Sequence, residues 1–106
     1  MVDATKFIDL CAAADVANGE TLKVETGGLV LAVYHVEDAF YVTDDCCTHG
    51  PGSLSEGFLE GFVIECDFHG GCFDIRTGAV TEPPCTIPIK TYPVDVVDGR
   101  VRIAIE

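Results

Sequence analysis

The chain has 106 residues, of which 18 are acidic, 6 basic and 3 histidine, for a formal charge of -12. That length suits one domain, and an apolar share of 48% excludes a disordered polyelectrolyte. The basic residues, Lys6, Lys23, Arg76, Lys90, Arg100 and Arg102, are scattered along the chain, which excludes nucleic acid and anionic membrane surfaces and favours a basic protein partner.

The pattern is β from end to end. Residues 7–11, 21–25, 29–36 and 40–43 are short runs rich in β-branched and aromatic residues. The turn dipeptides Asn18-Gly19, Gly27-Gly28 and Glu37-Asp38 separate them. Residues 10–17 allow one helical turn after Asp9, stopped at Asn18-Gly19. Further on, 62–65 and 72–75 read as strands, and Arg76-Thr77-Gly78 turns the chain into Ala79-Val80. The last segment is the clearest hairpin. Val94, Val96, Val101, Ile103 and Ile105 keep period-2 positions on either side of Asp98-Gly99. The expected fold is all-β, a small antiparallel sandwich or barrel that manages its edges by closure, with 1–106 as a single domain.

No stretch predicts a membrane span. The longest uncharged run, 26–36, is 11 residues and holds two glycines and a histidine, whereas a spanning helix needs ~20 apolar residues. The start, MVDATKFIDL, lacks a basic n-region, so a soluble cytoplasmic protein is expected. Thiols stay reduced there. The six cysteines then point to metal or redox chemistry instead of three disulfides.

Two glycine-rich stretches break the strand pattern: CCTHGPGSLSEG at 46–57 and CDFHGG at 66–71. Each holds a Cys and a His within three residues, and loops on a rigid scaffold are where function concentrates. The first offers Cys47 and His49, the second Cys66 and His69, with sixteen residues between His49 and Cys66. Two thiolates and two imidazoles suit a tetrahedral structural zinc. They equally suit a two-iron, two-sulfide cluster with both cysteines on one iron and both histidines on the other. Zinc fingers pair like ligands within each loop, whereas each loop here offers one of each kind. That arrangement favours the cluster.

C-T-H-G followed by C-x-x-H-G resembles the motif of Rieske iron–sulfur proteins. The likeness extends through GLVLAVYHVEDAFYVT, LSEGFLEGFVIEC, FDIRTGAVTEPP and PIKTYPVDVVDGRVRI. It is similar to the soluble Rieske ferredoxins of bacterial aromatic-ring-hydroxylating dioxygenase systems. The resemblance implies the Rieske fold, with cluster-binding loops at about 45–73 inserted in a β base, and one [2Fe-2S] cluster. By the same resemblance Cys47 and Cys66 bind the buried iron, and His49 and His69 the exposed one. Two neutral imidazoles in place of two thiolates leave the oxidised core uncharged, which raises the potential. Respiratory Rieske proteins add a disulfide across the cluster, at positions held here by Gly52 and Phe68. They also place hydroxyls on the cluster sulfurs, where this chain has Gly71 and Phe73. The resemblance therefore implies a low potential within the Rieske range.

The implied role is that of a monomeric electron carrier without catalysis of its own. It takes one electron from a flavin-containing, NADH-dependent ferredoxin reductase and delivers it to a terminal oxygenase. Two alternatives remain at this point: a zinc-stabilised structural module, and a Rieske subunit of another oxidoreductase such as nitrite reductase. Of the other residues, the C-T-H-G register makes Cys47 rather than Cys46 the ligand. Cys72 reads as a small buried strand residue, Cys11 and Cys85 as filler, and His35 as a half-exposed strand histidine. Pro83, Pro84 and Pro88 are expected to stiffen a loop covering the cluster. Pro51, Leu54 and Phe68 either pack the loops or form an apolar contact patch.

Overall fold

The computed structural model describes residues 6–46, 52–66, 71–82 and 87–105. Three antiparallel sheets make up the described chain. β1 (Lys6–Ala12), β10 (Val94–Val97) and β11 (Arg100–Ile105) form the first, in the order β1-β11-β10. β2 (Thr21–Thr26), β3 (Leu29–Val36), β4 (Ala39–Asp44) and β9 (Thr91–Tyr92) form the second, in that order. β5 (Phe58–Glu60), β6 (Val63–Glu65), β7 (Cys72–Asp74) and β8 (Val80–Glu82) form the third. The chain leaves the second sheet at Asp44 and returns at Thr91. Both Cys/His stretches and the third sheet belong to that excursion.

Turn chemistry sets the registers. Thr26 pairs with Leu29, Val36 with Ala39 and Val97 with Arg100, so each loop between them has two residues. All six loop residues, Gly27, Gly28, Glu37, Asp38, Asp98 and Gly99, take positive φ. That is the mirror-image turn whose twist matches the flanking strands.

Expected and observed elements differ in several places. β9 has only two residues, and β5 lies between Gly57 and Gly61, whose turn signals hide it, so the sequence pattern did not reveal them. Phe62 lies in the β5–β6 turn, where Gly61 takes a φ of 59°, and the strand begins at Val63. The expected helical turn is a 3-10 turn at Ala13–Asp15, because β1 runs on through Ala12, paired with Arg100, and a second 3-10 turn that was not expected lies at Leu54–Glu56. The Asp15 carboxylate accepts the Ala12 N–H at 3.1 Å and starts the turn there.

β3 is buried on both faces. Leu31 and Val33 face one apolar cluster with Cys11, Val16, Val42, Tyr92, Val101 and Ile103, between the first and second sheets. Ala32, Tyr34 and Val36 face another with Leu54, Ile64, Cys66, Phe73, Ile75 and Ile89. The second cluster joins the third sheet to the base. Tyr34 is wholly buried, and burial pushes its phenol pKa up. Its hydroxyl lies 2.8 Å from the Thr43 Oγ1, which itself donates to the Asp44 carbonyl, so Tyr34 is the donor. No helix among the described residues is long and apolar enough to cross a membrane.

Glu37 and Asp38, at φ 51° and 65°, hold a left-handed turn without glycine. Left-handed backbone costs an ordinary L-residue ~1–2 kcal/mol. The double substitution E37N/D38G is expected to stabilise the protein by about 1 kcal/mol, read as a higher denaturation midpoint at unchanged slope.

Candidate metal centre

Of the four residues singled out in the two loops, Cys66 is described; Cys47, His49 and His69 lie outside the described residues. What the structure places is the stem of each loop. The first leaves β4 through Asp45 and Cys46, and Cys46 bridges Ser53 on the returning strand. Asp45 is 2% exposed. Its Oδ2 accepts the Ser53 hydroxyl at 2.6 Å, and its Oδ1 accepts the Ser55 N–H at 2.8 Å. Its main-chain carbonyl accepts the Leu54 N–H, also at 2.8 Å. One buried aspartate thus ties the entry of the first loop to its exit.

The second stem is the end of the β6–β7 hairpin. Glu65 pairs with Cys72, and the Cys66 N–H donates to the Gly71 carbonyl at 2.7 Å. Cys66 is 2% exposed, within the apolar cluster that includes Leu54, Ile64 and Phe73. Leu54 follows the first stem and Cys66 starts the second loop, so the two stems converge on one core. Gly57 makes the approach possible. A Cβ built there would run into the Glu65 carbonyl oxygen. Its φ of -87° is ordinary, so the requirement is space rather than conformation.

A third segment is anchored nearby. Gly78, at φ 82°, accepts the Ile89 N–H at 2.9 Å, and a Cβ on it would strike the Ile89 carbonyl oxygen. Arg76 precedes it, donating to Asp74 through Nε at 3.1 Å and Nη2 at 2.9 Å, with its guanidinium 4.2 Å over the Phe62 ring. Those bonds hold the Asp74 carboxyl below its ordinary pKa. Pro83 and Pro84 lie outside the described residues, and Pro88 is exposed.

The secondary residues fall into place. Leu54 is fully buried and packs the stem, so it contributes nothing to a contact patch; Pro51 and Phe68 lie outside the described residues. Cys46 is exposed, Cys72 is buried in β7, Cys11 is buried in the base core and Cys85 is outside the described residues. Burial first, and Asp15 next, push the Cys11 thiol pKa up, as for an inert core cysteine. His35 is half-buried, stacked 4.1 Å from Phe40, with its Nδ1 2.8 Å from the Val16 carbonyl. Sequence reasoning missed Asp45, Ser53 and Ser55. The available signal was their type: Asp and Ser flanking a glycine-rich loop readily bond to local backbone.

The residues fit an iron–sulfur centre. Cys66 brings a soft thiolate, the ligand type such clusters take, to the mouth of a closed stem against buried apolar side chains. The family described as the Rieske [2Fe-2S] domain matches residues 6–93. The chain belongs to that family. It is 47% identical over 104 residues to the ferredoxin component of the p-cumate 2,3-dioxygenase system of Pseudomonas putida, covering 96% of this chain and 88% of that one. The Sphingomonas yanoikuyae B1 ferredoxin superposes with a TM-score of 0.90 at 48% identity, covering 95% of this chain and all of that one. A chain from the complex of reduced oxygenase and oxidized ferredoxin in carbazole 1,9a-dioxygenase gives 0.87 at 48% identity, with 92% of each covered. These relatives carry the all-β Rieske fold expected from the sequence.

Gly57→Ala is expected to cost about 2 kcal/mol, since overpacking at a backbone contact forces the two stems apart. Urea denaturation of the variant against the parent checks this through the shift in midpoint.

Proposed function

We propose that the chain is a Rieske ferredoxin carrying one electron from an NADH-dependent flavin reductase to the terminal oxygenase of an aromatic-ring dioxygenase system. The observation that carries this reading is the near end-to-end likeness, at 47–48% identity, to ferredoxins of dioxygenase systems. In this reading 1–106 is one Rieske domain, with the loops around 45–73 inserted in a β base. Cys47 and Cys66 hold one iron, and His49 and His69 the other. When bound, the cluster supplies a one-electron acceptor and donor.

The protein's own groups do the rest. Ile64, Phe73 and Leu54 exclude water behind Cys66, so the thiolate charge faces the metal in a medium of low dielectric. The stems fix the loop ends before any partner arrives, which limits reorganisation on electron transfer. No second iron site is available within this sequence. Its three histidines are His35, His49 and His69, and His35 is engaged with Phe40 and the Val16 carbonyl. A 2-His-1-carboxylate centre needs two beyond the cluster ligands. A carrier that must dissociate at each delivery works as a cytoplasmic monomer.

Electron paramagnetic resonance of the reduced protein is the deciding experiment. The expected spectrum is that of a two-iron cluster with mixed cysteine and histidine ligation; an all-cysteine spectrum, or a colourless zinc protein, overturns the reading. Gly71 and Phe73 offer no hydroxyl to the sulfides, so the midpoint is expected near ~-150 mV, at the low end of the class. A midpoint above zero contradicts that.

Charge makes a second test. The acidic excess steers the carrier toward basic patches on its partners, an attraction screened over ~8 Å at physiological ionic strength. Steady-state reduction by the reductase is expected to weaken as salt rises, through the association rate. Salt-independent turnover contradicts steering.

A further inference from the structure

The Asp45 carboxylate is buried to 2% exposure, yet it sits in no ion pair among the described residues, where the recorded pairs are Arg76–Asp74, Arg100–Asp9 and Arg102–Asp95. A buried carboxylate is costly unless donors satisfy it. Both of its oxygens are spent on the far side of the first loop, one on the Ser53 hydroxyl and one on the Ser55 N–H. Ser53 Oγ also lies 3.1 Å from Ser55 Oγ, and the Thr21 hydroxyl donates to the Ser55 carbonyl at 2.7 Å, so the receiving 3-10 turn, Leu54–Glu56, is itself fastened to the base. A hydrophobic residue at 45 would pack the stem but could not close it.

We propose that Asp45 is a positioning residue for the metal centre. Its carboxylate ties Asp45 to Ser53 and Ser55, the two ends of the loop that carries Cys47 and His49, and so favours the closed loop on which metal binding depends. The inference rests on the reading of Cys47 and His49 as ligands. Asp45 does not touch the cluster; it acts through the loop it closes. Outer groups that orient metal ligands are worth ~10–100-fold in metal affinity or activity when removed. Charge-assisted bonds of 2.6 and 2.8 Å are strong enough for such a role.

The test compares D45A, D45N and S53A, with I103V as a control destabilised in the base core, far from the stems. Holoprotein is challenged with a chelator at a temperature where all variants stay folded by circular dichroism, and bleaching of the visible band is timed. D45A is expected to lose its cluster about tenfold faster than the parent, with an altered paramagnetic resonance line shape. D45N keeps an acceptor for the Ser55 N–H and is expected to restore most of the parental behaviour; S53A falls between. I103V is expected to lower the denaturation midpoint without changing bleaching or line shape. If D45A does not fold, S53A carries the comparison, with D45N as the conservative rescue. Bleaching and line shape unchanged in S53A, and in D45A where it folds, would overturn the positioning role. A parent protein without mixed cysteine and histidine ligation would instead overturn the underlying reading.

Discussion

Everything in this fold hangs on β3 being buried on both faces. A strand has two faces because successive side chains point opposite ways. Most antiparallel strands give one of them to water. Here Leu31 and Val33 build the base core while Ala32, Tyr34 and Val36 build the core beneath the third sheet. Burying Leu31, Val33 or Val36 is worth ~1.5–3 kcal/mol each. The same strand therefore stabilises the base and seats the third sheet. A one-residue slip of β3 would exchange the two sets and ruin both cores at once. The two-residue turns at Gly27-Gly28 and Glu37-Asp38 prevent it.

That role was half legible in the sequence. LVLAVYHV reads as a strand, rich in β-branched and aromatic residues, but its cover on both faces belongs to the folded chain. The strand bounds followed from composition and turn dipeptides, and β3 was found at the residues expected, 29–36. β9 was not legible, because two residues cannot display a period, and β5 was hidden between the turn signals Gly57 and Gly61. Their existence is set by neighbours. β5 is pulled into register by β6 through Phe58 and Glu65, and β9 by β4 through Tyr92 and Val42. Phe62 misled for a related reason. Its aromatic side chain suits a strand, but the backbone requirement of the turn at Gly61 outweighed that propensity.

The candidate ligands Cys47, His49, Cys66 and His69 stood out in the sequence by type and spacing, since a thiol and an imidazole two or three residues apart have few other uses on a glycine-rich loop. The groups that close the loop stems did not. Asp45 looks like one of many acidic residues, and Asp44 beside it performs a different task, accepting the Tyr92 hydroxyl at 2.5 Å. Only burial separates the two, and burial is a property of the folded chain. Gly57 is similar. Its ordinary φ gives no sequence signal for a special conformation, and the need for glycine arises from the Glu65 carbonyl oxygen on a strand eight residues away.

The electrostatics then divide into two tasks set by dielectric. At the surface, among the described residues, Arg76, Arg100 and Arg102 are held by aspartates, in the pairs Arg76–Asp74, Arg100–Asp9 and Arg102–Asp95. Exposed pairs of that kind add little stability. Their effect is on the field: arginines neutralised locally leave no strong positive patch at those sites, and the remaining carboxylates dominate at a distance. Such a field attracts a basic partner without requiring a large dry interface, which lets a carrier leave after delivery. In the interior the same chemical group does the opposite job. Asp45, removed from water and fully bonded, exerts its effect over a few ångströms, on geometry rather than on encounter. A carboxylate moved between those two environments would serve neither purpose. The acidic composition therefore spans two environments: carboxylates at the surface, whose field acts at long range, and Asp45, whose bonds to Ser53 and Ser55 close the stem of the first loop.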